Sequence, residues 1–265
     1  MTETEWMRAR DLVQALTGAP LNSTVGFRLQ VESLRRVWWV LPAHQFELIV
    51  TAGDAYCRGR ANMGLVDLAR SRVMLSGSVS ATISSLVNGL FRYQTDSFID
   101  SCREVIRRAV SEWLDRLPRS GKNNHQPTPT SRYMQIAHQW WERTWRESEN
   151  MGFSWAGSLN SVWLDARNGA IAAVDDEFVF ELSHILRDIT PPLFRTVAFD
   201  PRWRSETAVA LAAGIYEDRA FDRLPILADA LEEAGCDHAD VLAHCRGPGP
   251  HARGCWVVDL VLNKS

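Results

Sequence analysis

The 265-residue chain predicts an all-α protein, in which a multi-helix N-terminal and middle region precedes a compact C-terminal helical module. Three observations carry this reading. Apolar residues recur at intervals of three and four along most of the chain, which is the spacing of one helical face. Proline and glycine fall where such stretches end, and neither residue continues a helix well. The last seventy or so residues are clearly punctuated, with capping residues ahead of stretches of helical apolar spacing and glycine or proline after them. Apolar residues make up 46% and charged residues 23% of the composition, the balance of a folded domain rather than a disordered one.

Taken in order, Trp6, Val13 and Leu16 suggest a short helix over Glu5 to Leu16, ended by Gly18 and Pro20. Val25, Phe27, Leu29 and Val31 alternate as in a strand. Phe27, Val31, Leu34, Trp38 and Leu41 also follow a helical period, and that pattern runs longer, so helix is the expectation. After Pro42 a further helix runs through Phe46, Ile49, Val50, Gly53 and Cys57. Residues 63–94 are apolar but rich in serine and glycine around Ser76–Ser80, so helix is weakly encoded there. The clearest amphipathic helix is Asp96 to Leu117: Phe98, Cys102, Val105, Ile106, Ala109 and Trp113 line one side, and Arg103, Arg107, Glu112 and Asp115 lie on another.

Residues 118–132 are dense in proline, glycine, asparagine and serine and read as a linker or exposed loop. This divides the chain into an N-terminal helical region 1–117, a tryptophan-rich helical region 133–190 and a C-terminal module 191–265. Trp140, Trp141, Trp145, Trp155 and Trp163 crowd the tryptophan-rich region. Trp155, Leu159 and Trp163 are four apart, so core packing between helices is expected ahead of an aromatic ligand platform. Ala170 to Ile189 reads as a helix stopped by Pro191 and Pro192. In the module, Asp200-Pro201 starts a turn and Ser205 caps a helix carrying Ala208, Leu211, Ala212, Ile215 and Tyr216. Asp222 is expected to cap a second helix ending at Gly235, and Asp237 a third ending at Cys245. A Gly-Pro-Gly-Pro turn at 247–250 then leads to a helix from Trp256 to Leu262.

Several of these segments resemble a known group. Phe199-Asp-Pro-Arg-Trp203, Ile215 to Phe221, Leu224-Pro-Ile-Leu-Ala-Asp-Ala-Leu-Glu-Glu-Ala-Gly-Cys236 and His244-Cys-Arg-Gly-Pro-Gly-Pro-His251 through Cys255-Trp256 to Leu262 are similar to the C-terminal signature of a family of planctomycetal proteins. The resemblance covers residues 186–265 closely, and Phe27 to Trp38 loosely resembles that family's N-terminal helix. It implies a helical, cytoplasmic protein. No activity is established for the family, so none is implied.

The chain begins without a basic segment followed by an apolar run, and it has no apolar stretch of membrane-spanning length, which predicts a cytoplasmic protein without membrane partners. Five cysteines in a chain of this size point to reduced thiols. The net charge of −3 gives no long-range pull on phosphate backbones. Lys122 and Lys264 are the only lysines, and the arginines are interleaved with acids rather than gathered on one face.

The conspicuous constellation is Cys236, His238, His244, Cys245, His251 and Cys255. Thiolate and imidazole are zinc ligands, and Cys236, His244, His251 and Cys255 form the candidate metal set, with zinc as the alternative to no cofactor. Against it, no pair shows the spacing of a zinc knuckle. Small buried thiols and a turn-bonding His251 explain the same residues. Arg246, His251 and Arg253 around the turn are the candidate anion or partner contacts, although Pro248 and Pro250 remove two N–H donors from any phosphate cradle. Glu181 with His184, and His138 with Glu142, have the spacing of a di-iron bundle but lack the remaining carboxylates. A His244–Cys255 nucleophile pair has no sequence support, and hydrolase elbows, zinc-protease motifs and phosphate loops are absent. The expectation is a non-enzymatic interaction or adaptor protein, an accessory subunit of a larger bacterial assembly. It has an unidentified protein partner, and nucleic acid enters only as part of that assembly. The alternative is a zinc-binding or nucleic-acid-directed protein using the C-terminal Cys, His and Arg residues.

Overall fold

Helical periodicity broken by proline and glycine is realised as a chain of helices in the computed structural model. It describes residues 23–40, 43–75, 86–90, 95–117, 129, 131–150, 158–190 and 197–264. The regular elements among them are all helical: α1 (Ser23–Arg36), α2 (Ala43–Cys57), α3 (Met63–Leu75), α4 (Thr95–Leu114), α5 (Arg132–Asn150), α6 (Ser158–Ile189), α7 (Glu206–Asp218), α8 (Leu224–Glu233), α9 (Ala239–Arg246) and α10 (Trp256–Val261). Short 3-10 turns stand at Trp38–Val40, Pro201–Trp203 and Phe221–Arg223. The ambiguous stretch around Phe27 is helix up to Arg36, and Trp38 already belongs to a 3-10 turn. The expected helix from Glu5 to Leu16, the Ser76–Ser80 stretch, nearly all of the 118–132 linker, Trp155 and the Pro191-Pro192 stop lie outside the described residues.

The chain separates into two compact units. One runs from Ser33 to Phe180; the other joins the described residues up to Glu32 with those from Glu181 onward. In the first unit α2 packs on α3 and α4 on α5. Phe98, Cys102, Val105, Ile106, Val110 and Trp113 of α4 are buried at helical spacing, as are Trp163, Ala166, Ala170, Val174 and Phe178 of α6. Each valine, isoleucine or phenylalanine among them contributes about 1.5–3 kcal/mol by leaving water.

The tryptophans supply core volume. Trp113, Trp141, Trp145 and Trp163 are buried, while Trp140 is 42% exposed. His138, Trp141 and Trp145 stack with interplanar angles of 12° and 13°, and Trp113 meets His138 edge-on. Asp175 on α6 is gripped by α4: Arg103 donates to its two oxygens at 2.9 and 2.6 Å, and Arg107 adds a bond at 2.8 Å. Burial works to raise the Asp175 pKa, but these guanidinium bonds outweigh it and hold the carboxyl below its ordinary value.

In the second unit the core is built by Ala208, Ala212, Ile215 and Tyr216 of α7, Leu224, Leu227, Ala228 and Leu231 of α8, Val241 and Cys245 of α9, and Trp256, Val257, Val258 and Val261 of α10. Ser205 is the N-cap of α7, accepting from the Ala208 N–H at 3.2 Å. Asp200 begins the first turn by accepting from the Arg202 N–H. Gly235, at φ +89°, supplies the left-handed residue after α8.

Two expected caps are not caps. Asp222 lies inside the 3-10 turn Phe221–Arg223, which leads directly into α8, whose N-cap is Arg223. The N-cap of α9 is His238 rather than Asp237. Pro225 fits the first shift: at N3 of an Asp222-capped helix it would lack an N–H that the cap could accept from, whereas in the opening turn of a helix that begins at Leu224 its missing N–H is harmless. No described helix is long and apolar enough to cross a membrane.

Candidate functional site

The site lies in the second unit, where three segments meet. α6 delivers Asp188 from its last turn, on the buried stripe of Leu182, Ile185, Leu186 and Ile189. α9 delivers His244 from its own last turn. The Gly247–Pro250 corner then reverses the chain and brings His251, Ala252 and Cys255 back to the same place; Cys255 is the N-cap of α10. Gly254 sits at φ +97°, a backbone conformation that strains any side chain, and a Cβ there would lie 2.5 Å from Nη1 of Arg28 and push it aside. Arg28 in turn pairs with Asp259 of α10 at 3.0 Å.

Asp188 is the hub. Its Oδ1 accepts from Nε2 of His244 at 3.0 Å and from Nδ1 of His251 at 2.7 Å, and its Oδ2 accepts from the Ala252 N–H at 2.7 Å. The side chain of Asp188 is only 3% exposed. Burial alone would raise its pKa, yet the hydrogen bonds donated by His244 and His251 reverse that and hold the carboxyl below its ordinary value.

The proton positions follow from one neighbour. The indole N–H of Trp256 points at Nδ1 of His244, 3.1 Å away, and an indole nitrogen can only donate. A neutral His244 therefore carries its proton on Nε2 and presents it to Asp188. That same Nε2 lies 3.2 Å from Sγ of Cys255. Burial drives the Cys255 thiol well above its ordinary pKa, and the Asp188 charge pushes it further up.

Of the sequence-derived metal set, His244, His251 and Cys255 converge; Cys236 does not join them. It packs into the apolar core around α8 instead, with its pKa raised first by burial. The fourth member is Asp188, and one ligand atom from each of Asp188, His244, His251 and Cys255 lies within 4.8 Å of every other. Spacing rules miss Asp188 because it stands 56 residues before His244. The usable signal was an acid three residues after Ile185, on the apolar face of its own helix. None of the five cysteines, all of which are described, forms a disulfide.

The two candidate contact arginines are engaged within the unit. Arg246 pairs with Asp229 and Glu232 of α8 and is 43% exposed. Arg253 donates from Nε to the Tyr216 carbonyl at 2.9 Å and from Nη2 to that of Glu217, closing the C-terminal end of α7. Arg204 does the same for the Leu260 carbonyl of α10, at 2.9 and 3.2 Å.

The fold and site thus define an all-α protein with a partly buried Asp-His-His-Cys cluster in its C-terminal unit. No family model, curated protein or solved structure matches the chain.

Proposed function

We propose that the chain acts by binding another protein, as an adaptor or accessory subunit, rather than by catalysing a reaction. One observation carries this reading: the group best placed to be a nucleophile is arranged against becoming one. A catalytic cysteine needs a depressed pKa and a base free to take its proton. Cys255 is fully buried, its pKa is raised, and the His244 nitrogen facing it already bears a proton committed to Asp188. The arginines support the same reading against a nucleic-acid role, since Arg28, Arg103, Arg107, Arg219 and Arg246 are all ion-paired to acids of the chain. The C-terminal resemblance to the planctomycetal family is compatible with this proposal and assigns no reaction.

The test has two arms. In the folded full chain at neutral pH, Cys255 should resist iodoacetamide while denatured chain is labelled. Rapid native labelling of Cys255 that depends on His244 overturns the reading. Tagged in its native host, the 29.9 kDa chain should elute in a larger complex containing one protein partner in fixed stoichiometry, and elution as a monomer without such a partner counts against it.

A further inference from the structure

We infer that Asp188, His244, His251 and Cys255 form a zinc-binding clasp that ties the end of α6 to the C-terminal turn. The donor set is the first reason. Imidazole and thiolate select zinc over magnesium or calcium, and a buried carboxylate completes a four-coordinate set. Charge is the second: one divalent ion with one carboxylate, one thiolate and two neutral imidazoles sums to zero, which is the state a buried site favours.

Geometry is the third reason. The ligand atoms stand 2.7 to 3.2 Å apart along the three contacts that join them. Around tetrahedral zinc, with bonds of about 2.0–2.3 Å, ligand atoms lie roughly 3.3–3.6 Å apart. The three close contacts must therefore open by about half an ångström, while the other pairs, all within 4.8 Å, close onto the ion. The Ala252 N–H already fixes Oδ2 of Asp188 from outside, leaving Oδ1 turned inward, which is the role of an outer-shell contact.

The proton balance is definite. Without metal the cluster holds an ionised Asp188, a Cys255 thiol, a proton on His244 Nε2 and one on His251 Nδ1. Zinc bonds to Asp188 Oδ1, Cys255 Sγ, His244 Nε2 and His251 Nδ1. The thiol proton leaves to buffer, and each imidazole proton moves to the other nitrogen of its ring. One proton is released per ion, and the cluster goes from one negative charge to none. The proton arriving on His244 Nδ1 meets the Trp256 N–H at 3.1 Å, so that bond must break. Loss of that bond weakens binding.

The experiment is a Co²⁺ titration of the EDTA-treated full chain, followed by displacement with Zn²⁺. One equivalent should give tetrahedral ligand-field bands together with a thiolate-to-cobalt charge-transfer band, and zinc should abolish both. Zinc calorimetry in buffers of different ionisation enthalpy should report one proton released. The charge-transfer band should vanish in Cys255→Ser, affinity should fall tenfold or more in Asp188→Asn, and Cys236→Ser should leave the spectrum intact. The wild-type titration decides even if a variant fails to fold. Absence of the charge-transfer band at one equivalent, or its persistence in folded Cys255→Ser, overturns the inference.

Discussion

Replacing Asp188 by asparagine probes the hub with little change of volume. In the better of its two orientations the amide oxygen takes the place of Oδ1 and still accepts from both histidines. The amide NH₂ then faces the Ala252 N–H, which loses its acceptor at 2.7 Å. A buried donor left without a partner costs roughly 1–3 kcal/mol. The two remaining bonds become neutral and about half as strong, which removes roughly 1.5–3 kcal/mol more. Part of this is offset because a neutral side chain no longer loses the hydration of a carboxylate. The net expectation is about 3 kcal/mol, or a fall in Tm of roughly 6–12 °C for a protein of this size. The assay is urea unfolding with EDTA present, combined with hydrogen exchange on peptides from 236 to 262, where the loss of protection should concentrate. A variant within about 0.5 kcal/mol of the parent, the range of an ordinary surface change, refutes the reasoning. The pH dependence has a fixed sign. The folded pKa of Asp188 is below its unfolded value, so the stabilisation is complete above the unfolded value of about 3.9 and is lost as pH falls through the folded pKa. Asp188→Asn should lack that acid-limb loss.

Three further predictions follow from other contacts. Gly254→Ala places a Cβ 2.5 Å from Arg28 Nη1 at φ +97°, and should cost about 1–3 kcal/mol. The added Arg28→Ala change should relieve the steric part alone, so urea unfolding of the two single variants and the double variant will not be additive. Ser205→Ala removes the acceptor for the Ala208 N–H and should cost about 1 kcal/mol by the same measurement. Asp175→Asn keeps an amide oxygen that accepts from Arg103 Nη2 and Arg107, but it loses the Arg103 Nε bond and the carboxylate charge. It should lower stability at neutral pH and flatten the acid limb, because Asp175, like Asp188, stabilises above its unfolded pKa and less as pH falls through the folded one.

The helices were legible where one physical signal acted locally. The face of α4 from Phe98 to Trp113 is read directly from spacing, and Ser205 and Gly235 are caps because their own chemistry suits the position. Asp222 and Asp237 have the same capping chemistry, but the neighbouring 3-10 turn and the start of α9 decide where those helices begin. α6 reads as separate stretches, around Trp163 and from Ala170, yet it runs unbroken from Ser158 to Ile189 because its buried stripe keeps its period across Gly169. The site was half legible. His244, His251 and Cys255 are close in sequence, and the Gly-Pro corner between them brings them together. Asp188 is a long-range contact, and its meaning rests on a fold that spacing rules do not contain. Arg253 reads as a surface contact from composition, but its partners are carbonyls 37 and 36 residues earlier.

The closed cluster and the clasp meet in a single measurement, the absorption spectrum of the EDTA-treated full chain after one equivalent of Co²⁺. A tetrahedral ligand field with a thiolate charge-transfer band that Zn²⁺ displaces and Cys255→Ser removes is the predicted result. A spectrum of hexaaquo cobalt, unchanged by the protein, contradicts it.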